Sequence, residues 1–188
     1  YSVSPPLLKR LAEWARAEGL PLMVHAAESP EEVAFLARGE GPLRAVYGRF
    51  AKTPWTPPGT TPVRHLHALG VLGPTTLLVH GVQVDEEEVG LLAETGTKVV
   101  LCPRSNANLE VGEAPLALYA KHGVELALGT DSRGSSPDLD VKNEARFLWG
   151  RAEPRLLVRA LTRGGYRALG LPTPRLTRGT PLSLVHFL

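Results

Sequence analysis

The amino-acid sequence predicts an α/β fold built on a parallel sheet. Short apolar runs alternate with amphipathic helix patterns, so that a strand is followed by a helix four times along the 188 residues. No glycine-rich turn follows the first run, although a doubly wound sheet that binds a dinucleotide would need one. Three runs instead end near His25, His80 and Asp131. A (β/α)8 barrel collects such residues at the carboxyl ends of its strands, so we predict a barrel.

The first elements follow from capping and periodicity. A helix is predicted over residues 4–19, because a serine and two prolines precede apolar residues at helical spacing. Residues 20–26 are mostly apolar, as expected of a strand that is buried on both faces. A second helix is predicted over residues 29–39, because Ser29 and Glu32 have the spacing of a capping box and a glycine ends the segment.

The remaining elements repeat this order around one long connection. Further strands are predicted over residues 75–81, 98–103 and 124–130, and further helices over residues 85–96, 114–123, 137–150 and 153–170. The connection, residues 39–62, is rich in proline and glycine, and a segment of this length is usually functional or disordered. Its aromatic residues Tyr47, Phe50 and Trp55 argue against disorder. We expect this segment to select the substrate.

Composition narrows the classes of function. The 21 Lys and Arg residues and the 19 Asp and Glu residues are interspersed, so the net charge of +2 forms no basic stripe for nucleic acid. No apolar segment reaches the roughly 18 residues that span a bilayer. The single cysteine, Cys102, suits a reducing compartment, and we interpret it as a buried structural residue. We therefore expect a cytoplasmic protein that binds a small molecule and water, but neither nucleic acid nor a membrane.

The polar residues at the strand ends indicate a metal site. The two-residue period of a strand predicts that His25, His80 and Asp131 each take the last inward-facing position, which groups His80 with Leu78. Glu28 follows three residues after His25. Alone, each residue is more typical of a structural role, but imidazole and carboxylate groups that converge bind divalent metals. These residues offer two or three ligands, which are too few, because a hydrolytic site needs about three or four protein ligands.

Four motifs carry a resemblance to a known family. The segments "VHAAE", "LLVHGVQVDEEEV", "CPRSNANLEVG" and "LALGTDS" resemble the amidohydrolase superfamily, in its metal-dependent deaminase and chlorohydrolase branch. The resemblance covers roughly residues 1–185. It implies one divalent metal, zinc with iron as the alternative, bound by His25 and Asp131. It also implies three catalytic residues. Glu28 shuttles protons, His80 orients water or stabilises a developing alkoxide, and Asp131 holds metal and water together.

The same resemblance implies a half-barrel. Residues 1–176 resemble the C-terminal half, strands 5 to 8, and residues 177–188 resemble a strand that returns toward a small β-sandwich. In the family, a His-x-His pair on the first strand supplies two further ligands. The "HLH" at residues 65–67 lies in a helix-like segment, where the two side chains would diverge, so it does not supply this pair.

The substrate is predicted from a finer resemblance. "HAAES", "CPRSN" and the segment 39–62 are similar to aminodeoxyfutalosine deaminases of the futalosine route to menaquinone. Their substrate is an adenine nucleoside that carries a benzoate, so a cation is expected near its carboxylate. The expected substrate-binding residues are Arg49, Lys52, Trp55 and Arg104.

Other functions stay open from the sequence. Within the same class they are deamination of adenosine, adenosylhomocysteine or guanine, and chlorohydrolase action on a triazine. From a different class, the chain could be a metal-free half-barrel that acts as a binding module and has no activity of its own. The sequence does not determine the oligomeric state, and a homodimer is one possibility that we keep.

Overall fold

The computed structural model describes residues 1–50, 55–173 and 178. The strands are β1 (Leu22–Ala26), β2 (Thr76–His80), β3 (Lys98–Leu101) and β4 (Leu126–Leu128). They form one sheet in chain order, and each neighbouring pair is parallel. The parallel α/β sheet that the sequence predicts is therefore confirmed.

Helices connect each strand to the next. Within the described residues they are α1 (Pro5–Ala17), α2 (Pro30–Arg38), α3 (Pro42–Phe50), α4 (Pro62–Ala68), α5 (Glu86–Thr95), α6 (Pro103–Asn108), α7 (Leu116–His122), α8 (Val141–Phe147), α9 (Pro154–Arg159) and α10 (Gly165–Ala168), with a π-helix at Ala160–Gly164. Among the described residues, no helix has the length and the apolar character that crossing a membrane would need.

The structure differs from the predicted elements in three places. Part of the long connection 39–62 is helix α3, which begins at Pro42 and contains a single glycine, Gly48. Helix α6 was not predicted, since six residues are too few to show helical periodicity. The helix predicted over residues 153–170 is divided by the π-helix. The predicted return strand, 177–188, lies outside the described residues apart from residue 178, so this domain division stays a prediction.

Capping fixes the helices that follow β1 and β2. Ser29 Oγ accepts a hydrogen bond from the Glu32 N–H at 3.2 Å, and the buried Glu32 carboxylate accepts one from the Glu28 N–H at 2.8 Å. Burial raises the pKa of Glu32. Asp85 and Glu88 form both halves of a capping box at the start of α5. The side chain of Glu32 thus ties the backbone of Glu28 to α2.

The two faces of the sheet have different surroundings. One face, which includes Leu78 and Val99, packs against the helices in the larger apolar core. The opposite face carries a smaller buried cluster, which consists of Leu77, Val79, Val100, Cys102, Ala127 and Ala168. Met23 lies on this second face, beside Leu77, but it is 53% exposed because β1 is an edge strand. The second face is therefore covered over β2 to β4 and open beside β1.

The π-helix covers the other edge of the sheet. The carbonyl of Glu125 accepts from the Val99 N–H of β3, so the next carbonyl, that of Leu126, points away from β3. A Cβ atom at Gly164 would overlap this Leu126 oxygen and would lie 3.0 Å from the Cα of Ala127. The absence of a side chain at Gly164 therefore allows the π-helix to lie directly on the backbone of β4.

This close approach predicts a large difference between two adjacent glycines. Gly164→Ala is expected to lower the free energy of unfolding by about 1 to 3 kcal/mol or more, because backbone must move to admit the methyl group. Gly165 has the same helical backbone angles but open space around it. Gly165→Ala should therefore be neutral or stabilising by up to about 1 kcal/mol. Chemical denaturation of the full-length protein measures both, and equal effects would contradict the packing.

Candidate metal and catalytic site

Parallel pairing brings the ends of β1 and β2 together. Ala26 lies opposite His80, and His25 lies opposite Val79. His80 Nε2 is 3.0 Å from His25 Nδ1 and 3.5 Å from Glu28 Oε1. One ligand atom from each of His25, Glu28 and His80 lies within 4.8 Å of the others, and this is the only group of this kind among the described residues. Three residues predicted from sequence are therefore brought to one point.

The route by which His80 reaches this point differs from the prediction. The sequence pattern groups His80 with Leu78 on the inward face, but Leu78 packs against the helices, and Leu77 and Val79 face inward. Strand alternation alone would turn His80 toward the helices as well. Its backbone instead has φ of 75°, and this left-handed conformation redirects the imidazole toward His25.

Left-handed backbone recurs where the strands end. Ala27, His80 and Asp131 have φ of 53°, 75° and 58°, a conformation that costs about 1 to 3 kcal/mol per residue unless the surroundings impose it. At His80 the surroundings support this conformation. Gly81 is left-handed too, with φ of 55°, and the buried Tyr119 hydroxyl donates to the Gly81 carbonyl at 2.5 Å. Burial raises the pKa of Tyr119, which keeps the phenol protonated as a donor.

Helix α6 supplies contacts that the sequence analysis missed. Asn106 Oδ1 is 2.8 Å from His80 Nδ1, and both side chains are buried. Ser105 Oγ donates to Asp131 Oδ2 at 2.7 Å. Both residues follow the end of β3, so polar residues after a third strand end were the signal that could have identified them.

Asp131 lies in a shell of hydrogen-bond donors. Its Oδ2 accepts from the hydroxyls of Ser105 and Ser135, at 2.7 and 2.9 Å, and its Oδ1 accepts from the Ser132 N–H at 2.8 Å. Burial raises the pKa of Asp131, but these hydrogen bonds and the neighbouring His80 outweigh it and hold the pKa below its usual range. Asp131 is thus an anion close to His80, although it is not part of the compact group of His25, Glu28 and His80.

Cys102 lies beneath the site as a buried thiol. Its side chain is 1% exposed. Burial, followed by the negative charges of Asp131 and Glu144, raises its pKa to about 12. A thiol with this pKa is not a nucleophile at neutral pH, in agreement with its structural interpretation.

A cavity of about 690 Å³ opens beside β1 and reaches the site at His25 and Glu28, whereas His80 and Asp131 do not line it. Its lining contains His25, Glu28, Tyr47 and Trp55. The Trp55 ring stacks on Phe35 with centroids 4.1 Å apart and planes 10° apart. Trp55, predicted to bind substrate, is therefore held rigidly at the wall of the cavity that reaches the metal-binding group.

The three predicted substrate-binding cations have different positions. Arg49 is an exposed residue of α3, 5.9 Å from the ring of Phe50. Lys52 lies outside the described residues. The Arg104 guanidinium makes two 2.9 Å hydrogen bonds to Asp138 and lies 3.6 Å from Glu144. These carboxylates already pair with Arg104, and its predicted contact with the substrate stays a prediction.

The donor set fits a divalent metal. Two imidazoles and a carboxylate converge with their ligand atoms in reach of one ion, and the Asp131 carboxylate is nearby. Imidazole with carboxylate suits zinc and iron. The arrangement can therefore hold a metal at the mouth of a cavity large enough for a nucleoside-sized ligand.

Comparison with known proteins places this geometry in a family. The sequence pattern of the amidohydrolase family matches residues 1–187. Aminodeoxyfutalosine deaminase from Deinococcus radiodurans is 43% identical over 190 residues, which cover 95% of this chain and 46% of that protein. A 5-methylthioadenosine/S-adenosylhomocysteine deaminase from Aquifex aeolicus is 30% identical, with 98% of this chain and 41% of that protein covered. The chain thus spans less than half of the length of either relative.

A solved structure gives the same assignment. The crystal structure of an adenosine deaminase from Xanthomonas campestris with bound zinc matches with a TM-score of 0.72 and 30% identity, over 90% of this chain and 37% of that one. The four-stranded sheet is accordingly a partial barrel, as the sequence predicts. Since the family pattern extends over nearly all of the 188 residues, the chain belongs to the amidohydrolase family.

Proposed function

We propose that the protein containing this chain is a metal-dependent hydrolase that deaminates an aminopurine nucleoside, and that aminodeoxyfutalosine is the substrate. The observation that carries the proposal is the convergence of His25, His80 and Glu28 at the strand ends, beside a cavity with an aromatic wall. The names of the relatives support both the reaction and the substrate. In the reaction, water adds to the ring carbon that bears the amine, ammonia leaves and a ring carbonyl remains.

His25 and Asp131 are the proposed metal ligands of this chain. When bound, the metal supplies the Lewis acidity that lets water act as a nucleophile at neutral pH. Zinc is the proposed metal, with iron as the alternative, and the bound zinc of the Xanthomonas campestris structure supports zinc. The hydroxyls of Ser105 and Ser135 hold the Asp131 carboxylate ionised, as a ligand must be.

Glu28 and His80 carry the remaining chemistry. The Glu28 side chain is 23% exposed and lines the cavity, so it can receive a proton from water and pass it to a ring nitrogen and then to the departing amine. His80 is fully buried and hydrogen-bonded at both ring nitrogens, and its proposed role is either to orient the water or to stabilise the developing oxyanion.

Arg49 is the proposed partner of the benzoate carboxylate. It lies on α3, the helix whose Tyr47 lines the cavity, but its own side chain is exposed and is not part of the cavity lining, so the proposal requires α3 or the guanidinium to turn toward the substrate. A planar guanidinium matches a carboxylate in two parallel hydrogen bonds. The 5-methylthioadenosine/S-adenosylhomocysteine deaminases among the relatives favour a second candidate, an adenine nucleoside without a benzoate.

Glu28→Gln tests whether Glu28 moves protons or binds metal. The full-length variant is expected to retain wild-type metal content while kcat falls roughly 100-fold or more, because only the proton transfer is lost. Metal content is measured by elemental analysis, and turnover by ammonia release. Glu31→Gln, at an exposed neighbouring position of α2, is the control and should change neither quantity. Loss of metal from Glu28→Gln would make Glu28 a ligand.

Arg49→Ala tests the substrate. The variant is expected to raise KM for aminodeoxyfutalosine about 10- to 150-fold, because it loses the hydrogen bonds between arginine and the benzoate carboxylate. KM for 5-methylthioadenosine, which has no carboxylate at this position, should stay nearly unchanged. Arg155→Ala, at an exposed position of α9, controls for net charge.

Equal losses on the two nucleosides would show that Arg49 supports the segment and does not bind the benzoate. A wild-type protein that prefers 5-methylthioadenosine would overturn the substrate assignment and leave the deaminase. A metal-free wild-type protein without activity on either nucleoside would favour the binding-module alternative.

A further inference from the structure

Helix α6 contacts two members of the site from one short segment. Asn106 Oδ1 lies 2.8 Å from Nδ1 of His80, and Ser105 Oγ donates to Asp131 at 2.7 Å. His80 comes from β2 and Asp131 follows β4, so α6, which follows β3, bridges the ends of its two neighbouring strands. Both side chains of α6 are buried, so water does not compete for these hydrogen bonds.

The Asn106 contact determines which nitrogen of His80 carries the proton. An amide oxygen has lone pairs and no hydrogen, so it requires a proton on Nδ1 of the neutral imidazole. In the uncharged ring Nε2 is then left with its lone pair, and this is the nitrogen 3.0 Å from His25 and 3.5 Å from Glu28. His80 therefore presents an acceptor, and not a donor, to the site.

A buried carboxylate anchors α6. Glu144 of α8 is fully buried, and its Oε2 accepts from the Arg104 N–H at 3.0 Å, one residue before Ser105. The Arg104 side chain in turn binds Asp138 and lies 3.6 Å from Glu144. Fixed to α8 in this way, the backbone of α6 holds Asn106 against the buried imidazole.

We infer that Asn106 is a positioning residue that locks His80 in the Nδ1–H tautomer, with Nε2 as a hydrogen-bond acceptor in the site. The inference rests on the proposed function for its catalytic meaning. It selects between the two roles of His80, because a bare Nε2 accepts a hydrogen bond from the reacting water and cannot donate one to a developing oxyanion. The tautomer itself is a property of this chain that can be measured without a substrate.

The test is the nitrogen spectrum of the full-length protein labelled with 15N-histidine, in metal-free and zinc-loaded forms. His80→Gln assigns the His80 signals among those of the other histidines. The wild type is expected to show a protonated Nδ1 and a bare Nε2 at His80. Asn106→Leu should lose this pattern, because it removes the acceptor. Asn106→Asp should keep it, because a carboxylate also accepts from Nδ1–H.

Kinetics give a second readout. Asn106→Leu is expected to lower kcat about 10- to 100-fold with KM nearly unchanged, the usual effect of removing a partner that orients a site histidine. Asn106→Asp should lie closer to the wild type. Asn108→Leu, at the exposed end of the same helix, should alter neither the spectrum nor kcat.

A wild-type spectrum with a proton on Nε2 would overturn the inference before any variant is made, whether Nδ1 is bare and Asn106 donates through its amide nitrogen, or both ring nitrogens are protonated. So would an Asn106→Leu protein that keeps the Nδ1–H pattern. A protein with the expected tautomer but no activity on any nucleoside would instead contradict the proposed function and leave the inference standing.

Discussion

The parallel pairing of β1 with β2 is the constraint on which the site depends. It sets Ala26 opposite His80 and thereby brings the imidazole of His25 to hydrogen-bond distance of the imidazole that ends the next strand. Glu28 then needs only the first turn of α2 to reach the same point, and Glu32 holds its backbone there. An antiparallel partner would have placed the two strand ends at opposite edges of the sheet.

The site is built at a cost that its surroundings offset. His80 adopts a backbone conformation that non-glycine residues avoid. The Tyr119 hydroxyl donates to the carbonyl of the next residue, Gly81, and lies so close that a side chain at position 81 would overlap it. Asp131 is equally left-handed, and the hydroxyls of Ser105 and Ser135 hold its carboxylate. Such preorganisation is what a site needs if its groups are to act without first rearranging.

The sequence predicted the parallel sheet and the strand ends that carry His25, Glu28, His80 and Asp131, because these depend on local periodicity and capping. It assigned His80 the wrong strand face, because the turn that redirects this residue is held by the hydrogen bond from Tyr119 to Gly81, which lie 38 positions apart. It did not reveal the pairing of Arg104 with Asp138, because Asp138 lies 34 positions further along the chain. Contacts between distant elements leave no periodic signal, and for the same reason Asn106 went unnoticed.

The burial of the single cysteine gives this protein a natural reporter of its own opening. Cys102 belongs to the apolar cluster on the inner face of the sheet, directly below the Asp131 shell. With its pKa raised to about 12, the thiol is almost wholly unreactive toward alkylating agents while the fold is closed. Alkylation of Cys102 in the native protein therefore records a transient separation of β3 from its neighbours, and its rate measures the stability of the sheet beneath the site without an introduced label.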